Sequence, residues 1–178
     1  FIEALAIFED LLYSKNITGR ERLIAEFEYS WVLYRQKRYD ESIAILRRIY
    51  NEKELEPLQK FDAMRLMGFS HIAKGNFNEA INILIESDSI QIHDDEKKFM
   101  LFELGKSLFI EGRYPEAASY LKRISHTFES TDIYAHSTAF YEGFIFLFLN
   151  EIKSALDRFS FLIENANSPE LLASGLFG

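Results

Sequence analysis

The sequence of 178 residues lacks several features that would point to a particular chemistry. It contains no cysteine, which excludes disulfides, thiolate metal sites and cysteine nucleophiles. Lys and Arg number 20 against 28 Asp and Glu, and the net charge of −8 disfavours a nucleic-acid partner. The most apolar run, 139–149, is far shorter than the ~20 residues of a membrane span. What remains is the composition of a globular protein, 48% hydrophobic and 27% charged.

Catalytic and metal-binding motifs are missing as well. No glycine-rich phosphate loop and no Gly-x-Ser-x-Gly elbow occurs. The four histidines are His71, His93, His126 and His136. None of them forms the i, i+4 pair of a helical zinc motif, and the acids after His93 are better explained as a helix start. The sequence therefore predicts no enzyme, no metal and no cofactor.

What the sequence does contain is an internal repeat. A small residue, followed four positions later by a bulky one, recurs along the whole chain. The small residues are Ala4, Ser42, Ala80, Ala117 and Ala155. The steps between them are 38, 38, 37 and 38 residues. The bulky residues are Phe8, Leu46, Leu84, Leu121 and Phe159. Self-similarity with a period in this range is typical of stacked-repeat proteins.

Each repeat has the pattern of two helices joined by a short turn. Apolar residues recur at helical spacing, and no alternating strand pattern appears. Thr18 and Glu21 fit a capping box, and Pro57 and Pro115 are placed to open helices. The predicted helices span about 1–13, 19–36, 41–50, 57–75, 78–86, 94–112, 115–128, 133–149 and 152–165, and another begins at Ser168-Pro169.

These positions together resemble the tetratricopeptide-repeat family. In that family a small residue in the first helix of each pair lets the second helix cross closely, and an aromatic residue follows in the turn. The small position holds Ser30, Gly68, Gly105 and Gly143, and the turn position holds Tyr39, Phe77, Tyr114 and, as a departure, Ile152. A second departure is the period, which exceeds the 34 residues of the standard repeat.

The resemblance implies an all-α fold in which antiparallel helix pairs stack into a right-handed superhelix. This architecture is called an α-solenoid. One repeat domain is expected over 1–178, as a fragment of a longer protein. Its expected divisions are a partial unit 1–18, units of about 19–56, 57–93, 94–131 and 132–168, and a partial unit 169–178. The family binds other proteins, so the implied function is that of a non-catalytic interaction scaffold.

In this family the first helices line a concave groove, and the matching positions here are mostly aromatic. They are Phe27, Trp31, Tyr34, Arg65, Phe69, Phe102, Lys106, Phe109, Phe140 and Phe144. A partner peptide or helix would bury apolar side chains there, oriented by Arg65 and Lys106. Trp31, Phe69 and Phe144 stand where a carboxylate clamp would need polar residues, so no such clamp is expected. Two alternatives to an open groove remain: the stripe is core between repeats, or another part of the same chain fills the groove.

Two alternative functions also stay open. One is a structural segment that self-associates in a larger bacterial envelope complex, because long repeat periods are common in bacterial envelope relatives. The other is the sensing domain of a peptide-responsive regulator. The expected partner is another protein or peptide, with no nucleic acid and no membrane insertion. The resemblance favours the bacterial cell envelope or periplasm over the cytoplasm.

Overall fold

A computed structural model describes residues 2–14, 17–52 and 55–165. Over these ranges the backbone forms nine α-helices and no strand, and the protein is an all-α helical repeat solenoid. None of the helices in these ranges has the length and apolarity of a membrane span. The predicted helix at Ser168-Pro169 lies outside the described residues. The helices are α1 (Ile2–Tyr13), α2 (Gly19–Arg35), α3 (Tyr39–Tyr50), α4 (Pro57–Ala73), α5 (Phe77–Asp88), α6 (Asp94–Ile110), α7 (Tyr114–Ile124), α8 (Ile133–Phe148) and α9 (Ile152–Asn165).

The helices group into two compact units, Phe1–Gln91 with α1 to α5 and Ile92–Gly178 with α6 to α9. In the first unit α2 packs against α3 and α4 packs against α5, and α3 also packs against α4. In the second unit α6 packs against α7 and α8 packs against α9, and α8 contacts both α6 and α7. Each unit is therefore a stack of helix pairs whose first helices, α2 with α4 and α6 with α8, are neighbours.

A residue with positive φ follows the first helix of each pair. These residues are Lys37 (62°), Gly75 (77°), Gly112 (74°) and Asn150 (61°). In the second pair the N–H of Asn76 donates to the carbonyl of His71 at 2.9 Å, and the equivalent bond recurs in the other three turns. This six-residue closure satisfies free carbonyls at the helix end. It also fixes the short turn after which the second helix runs back along the first.

The glycines of the first helices lie where the second helices cross. A Cβ added at Gly105 would lie 2.6 Å from Leu121, and one at Gly143 would lie 2.6 Å from Phe159. Gly68 is in the same position against Leu84. Real Cβ atoms do not make contacts this short, so the crossings exclude any larger residue unless the neighbour moves. The small residue of the first helix in these pairs thus lies directly against the bulky residue of the second helix, a contact that the resemblance implied only as a close helix crossing.

The helix ends agree with the predicted ones to within one or two residues, apart from the end of α7. The capping box is confirmed, since Thr18 N–H donates to Glu21 Oε2 at 2.9 Å and Glu21 N–H donates to Thr18 Oγ1 at 3.3 Å. The predicted end of α7 at Phe128 is wrong, because the helix stops at Ile124. Phe128 instead turns inward, 8% exposed, and stacks on Tyr134 with ring centroids 5.5 Å apart.

Candidate functional site

In the first unit, five of the predicted groove residues lie on α2 and α4. We call the surface they form the α2/α4 face: Phe27, Trp31, Tyr34, Arg65 and Phe69. All five are half-buried. The three aromatic residues of α2 pack against a core cluster that contains Leu46 and Met64, and Trp31 lies edge-on to Tyr34 with centroids 5.6 Å apart. This stripe is therefore partly core and partly surface.

Arg65 is held on its own helix by an acid that the sequence reasoning did not single out. Its Nη2 lies 2.8 Å from Asp62 Oδ1. Its guanidinium carbon lies 5.9 Å from the ring centroids of both Phe61 and Phe69. The Nε atom is buried and has no hydrogen-bond partner among the described residues. Arg65 is thus a paired and packed charge with one donor unused.

An apolar depression opens beside these residues in the first unit. Its lining residues come from three helices: Leu23, Ile24 and Phe27 of α2, Ile49 of α3, and Gln59 and Asp62 of α4. Ile24 is 51% exposed at the depression. Apolar walls with a few polar groups are typical of sites that receive a ligand or a partner's side chain. Asp62 serves both features, because it lines the depression and pairs with Arg65.

In the second unit the other five predicted residues lie on α6 and α8. We call the surface they form the α6/α8 face: Phe102, Lys106, Phe109, Phe140 and Phe144. Phe102 is buried and the other four are half-buried. Tyr141 joins the two helices, with its ring centroid 6.0 Å from Phe102, 5.3 Å from Phe109 and 5.6 Å from Phe140. Phe144 continues the cluster, 4.7 Å from Phe140.

The charge on the α6/α8 face is a pair and not a single cation. Lys106 Nζ lies 4.0 Å from the carboxylate of Glu103, beyond hydrogen-bond range. Burial raises the pKa of Glu103, and Lys106 offsets only part of that effect. Burial also raises the pKa of Tyr134 and of Tyr141, and the negative charge of Glu103 adds to both shifts. The carboxylate of Glu103 therefore lies in a partly desolvated environment.

Asp62, Glu103 and Tyr141 were not among the residues predicted from the sequence. Glu103 and Tyr141 could have been found, because they occupy the same position of the repeat. Glu103 and Tyr141 each precede the crossing glycine of their helix by two residues, at Gly105 and Gly143. Tyr141 faces the neighbouring first helix α6, as its contacts with Phe102 and Phe109 show. Reading the residue two before each small residue, as well as those around it, would have found both.

Histidines and acids form no metal site in the described part of the chain. No three His, Asp or Glu side chains there are close enough together to hold one ion. His71 and His136 are buried, and their ring nitrogens have no hydrogen-bond partner among the described residues. Burial lowers the pKa of His71, with smaller effects of the same sign from Arg47 and Lys74. Its burial and lowered pKa indicate that His71 is a neutral core histidine.

Comparison with known proteins gives matches in structure only. No protein-family model matches the sequence, and no curated protein matches it. The structure is similar to the TPR-like repeats of a putative kinesin light chain from Podosopora anserina, with a TM-score of 0.73 and 15% identity over 92% of this chain and 85% of that one. It is also similar to YrrB, described as a TPR protein with an unusual peptide-binding site, with a TM-score of 0.70 and 16% identity over 97% of this chain and 81% of that one.

A third similar structure is a larger protein. It is the Rap conjugation gene regulator of the plasmid pLS20 in complex with the Phr* peptide, with a TM-score of 0.60 and 12% identity. The match covers 98% of this chain and 57% of the regulator. All three similar structures match at low sequence identity, so the matches are evidence about fold alone. Together with the crossing glycines and the helix pairs, they establish that this chain has a tetratricopeptide-repeat-type fold.

Proposed function

We propose that the chain is a non-catalytic scaffold that binds a peptide or helix of a partner protein on the faces formed by its first helices. The observation that carries the proposal is the apolar depression of the first unit. Its walls are side chains from a few neighbouring turns of α2, α3 and α4, an arrangement that suits a single apolar side chain of a partner. An apolar side chain of the partner would bury there, and Gln59 and Asp62 would meet its backbone N–H groups.

The α6/α8 face supports the same function in the second unit. Phe109, Phe140 and Phe144 are half-buried, so each keeps ring surface accessible while its neighbours hold it in place. Aromatic side chains fixed in this way lose little conformational freedom on binding and give large contact areas. Two of the similar structures also involve peptides, one by its described binding site and one by its complex. That supports a peptide as the partner class here.

The test is a selection of binding peptides against the whole chain, followed by affinity measurements on two surface variants. The single tryptophan, Trp31, lies on the α2/α4 face, so its fluorescence reports binding there without a label. Ile24→Asp puts a charge at the depression and should weaken a selected peptide about tenfold or more, because an unpaired charge would be desolvated. Ile24 is exposed, so the variant should fold normally.

Ala44→Asp is the matched control. Ala44 is exposed on α3 and is not among the residues that line the depression, so the same change of charge there should leave the affinity unchanged. A selection without binders, or equal losses in both variants, would contradict the proposal.

A further inference from the structure

The two units repeat each other position by position. The small residues of their helix crossings lie 75 residues apart, Ser30 with Gly105 and Gly68 with Gly143. A shift of 75 therefore identifies, for each residue that lines the depression of the first unit, the residue at the same position of the second unit. Three lining residues correspond in this way to aromatic residues: Ile24 to Phe99, Phe27 to Phe102 and Gln59 to Tyr134.

In the second unit a ring of the chain itself lies between these positions. The ring centroid of Tyr134 is 4.9 Å from that of Phe99 and 5.3 Å from that of Phe102. Phe128 stacks on the same tyrosine, with centroids 5.5 Å apart. Phe102, with Tyr134 against it, is only 5% exposed. The second unit thus covers its aromatic wall with its own tyrosine.

The first unit has no ring at the position of this tyrosine. Gln59 stands there, and its side-chain oxygen accepts a hydrogen bond from the backbone N–H of Glu56 at 3.1 Å, which holds the side chain at the start of α4. Phe27, the counterpart of the buried Phe102, is only half-buried. The exchange of an aromatic ring for Gln59 therefore leaves the wall formed by Phe27 accessible at the depression.

We propose that the depression of the first unit receives an aromatic side chain of the bound peptide, in the place that Tyr134 takes in the second unit. This inference rests on the proposed function, because it names the side chain that the same partner inserts. The depression has about 380 Å³ of empty space, its open mouth included. A closed apolar cavity of roughly 150 Å³ is enough to bind benzene, so a phenyl ring has room. Contact with the ring of Phe27 favours an aromatic over an aliphatic occupant.

The charge at the depression excludes an acidic occupant. Asp62 is the charged residue of the lining, and its carboxylate is paired with Arg65. A carboxylate of the peptide would be repelled by Asp62 and by the net charge of −8, whereas a neutral ring brings no charge against the apolar walls. The occupant is therefore a phenylalanine or tyrosine side chain.

The first part of the test changes the peptide and leaves the protein unaltered. Peptides selected against the whole chain should share an aromatic residue. Replacing that residue by leucine should weaken binding about tenfold, because leucine stays apolar but loses the ring contacts.

The second part copies the residues of the second unit into the first, with Ile24→Phe and Gln59→Tyr in one variant. The new tyrosine should fill the depression, so the aromatic peptide should bind at least tenfold more weakly. The leucine peptide should then bind no worse than the aromatic one, because both changes remove the same contact. The variant should keep its fold, since the second unit has these residues at the same positions, and circular dichroism checks this.

Ala44→Tyr is the matched control, because it adds a ring at an exposed position of α3 that does not line the depression. It should leave the affinity within twofold. Should the filled variant unfold, the comparison of the two peptides on the unaltered protein decides alone.

Three results would each overturn the aromatic receptor: binders without a shared aromatic residue, a leucine peptide that binds as tightly as the aromatic one, or a folded, filled variant that binds like the unaltered protein. Where Ile24→Asp still weakens binding in those cases, the proposed function stands without the receptor. A selection that yields no binders would instead count against both.

Discussion

At the scale of single residues, the fold depends on glycines at the helix crossings. Gly105 has no room for a Cβ, because Leu121 of the crossing helix would lie 2.6 Å away. Gly19 at the start of α2 has nothing within 4 Å of the same added atom. The two positions therefore separate the effect of crowding from the effect of glycine on helix propensity.

Gly105→Ala should lower the free energy of unfolding by about 1–2 kcal/mol, as overpacking outweighs the better helix propensity of alanine. Gly19→Ala should leave it unchanged or slightly higher. Urea unfolding followed by circular dichroism measures both. Adding Leu121→Ala makes room for the methyl group, so the double variant should be more stable than the sum of the single losses predicts. If the two losses are additive, Leu121 is not the source of the crowding.

The residue scale is also where prediction from sequence was least complete. The ten predicted groove residues do lie on the first helices α2, α4, α6 and α8, because the repeat period fixes which helix a residue belongs to. Whether such a ring is exposed depends on all its neighbours. Phe102 is buried with Tyr134 and Tyr141 against it, whereas Phe109 is half-buried although it also contacts Tyr141. That distinction comes from how α8 packs on α6, which no spacing along the chain encodes.

At the scale of elements, the turns between paired helices all use one backbone conformation with different residues. Gly75 and Gly112 adopt positive φ without a steric cost. The backbone of Lys37 is strained at φ 62°, because its Cβ comes too close to the following carbonyl oxygen. The turn sequences look unrelated, yet each closes with the same backbone bond. The sequence predicted the turns because glycine marks two of them, and the period locates the other two.

Lys37→Gly should raise the free energy of unfolding by about 0.5–1 kcal/mol, because it relieves the strained left-handed conformation. Gly75→Ala should lower it by about 1 kcal/mol for the opposite reason. Gln36→Gly is the control, since Gln36 has φ −86° and gains nothing from glycine. Thermal unfolding of the three variants would show the order directly. A stabilised Gln36→Gly, or a destabilised Lys37→Gly, would contradict this account of the turns.

At the scale of the whole molecule, the sequence predicted the helix pairs, because the apolar faces of their helices must be buried. A single helix pair leaves one face of each helix uncovered, so the repeat is stable only as a stack. The location in the bacterial envelope stays a prediction, because it is not a matter of helix packing. The central claim at this scale is that partners bind on the first helices of the pairs.

The measurement that tests this claim most directly is hydroxyl-radical footprinting of the whole chain, with and without a selected peptide, read by mass spectrometry. Exposed apolar side chains serve as probes on both classes of helix: Ile24, Leu58 and Phe99 on first helices, and Leu156 and Ile163 on a second helix. The account predicts that the peptide protects probes on the first helices and leaves Leu156 and Ile163 as reactive as before. Protection confined to Leu156 and Ile163 would contradict it and would place the binding surface on the second helices.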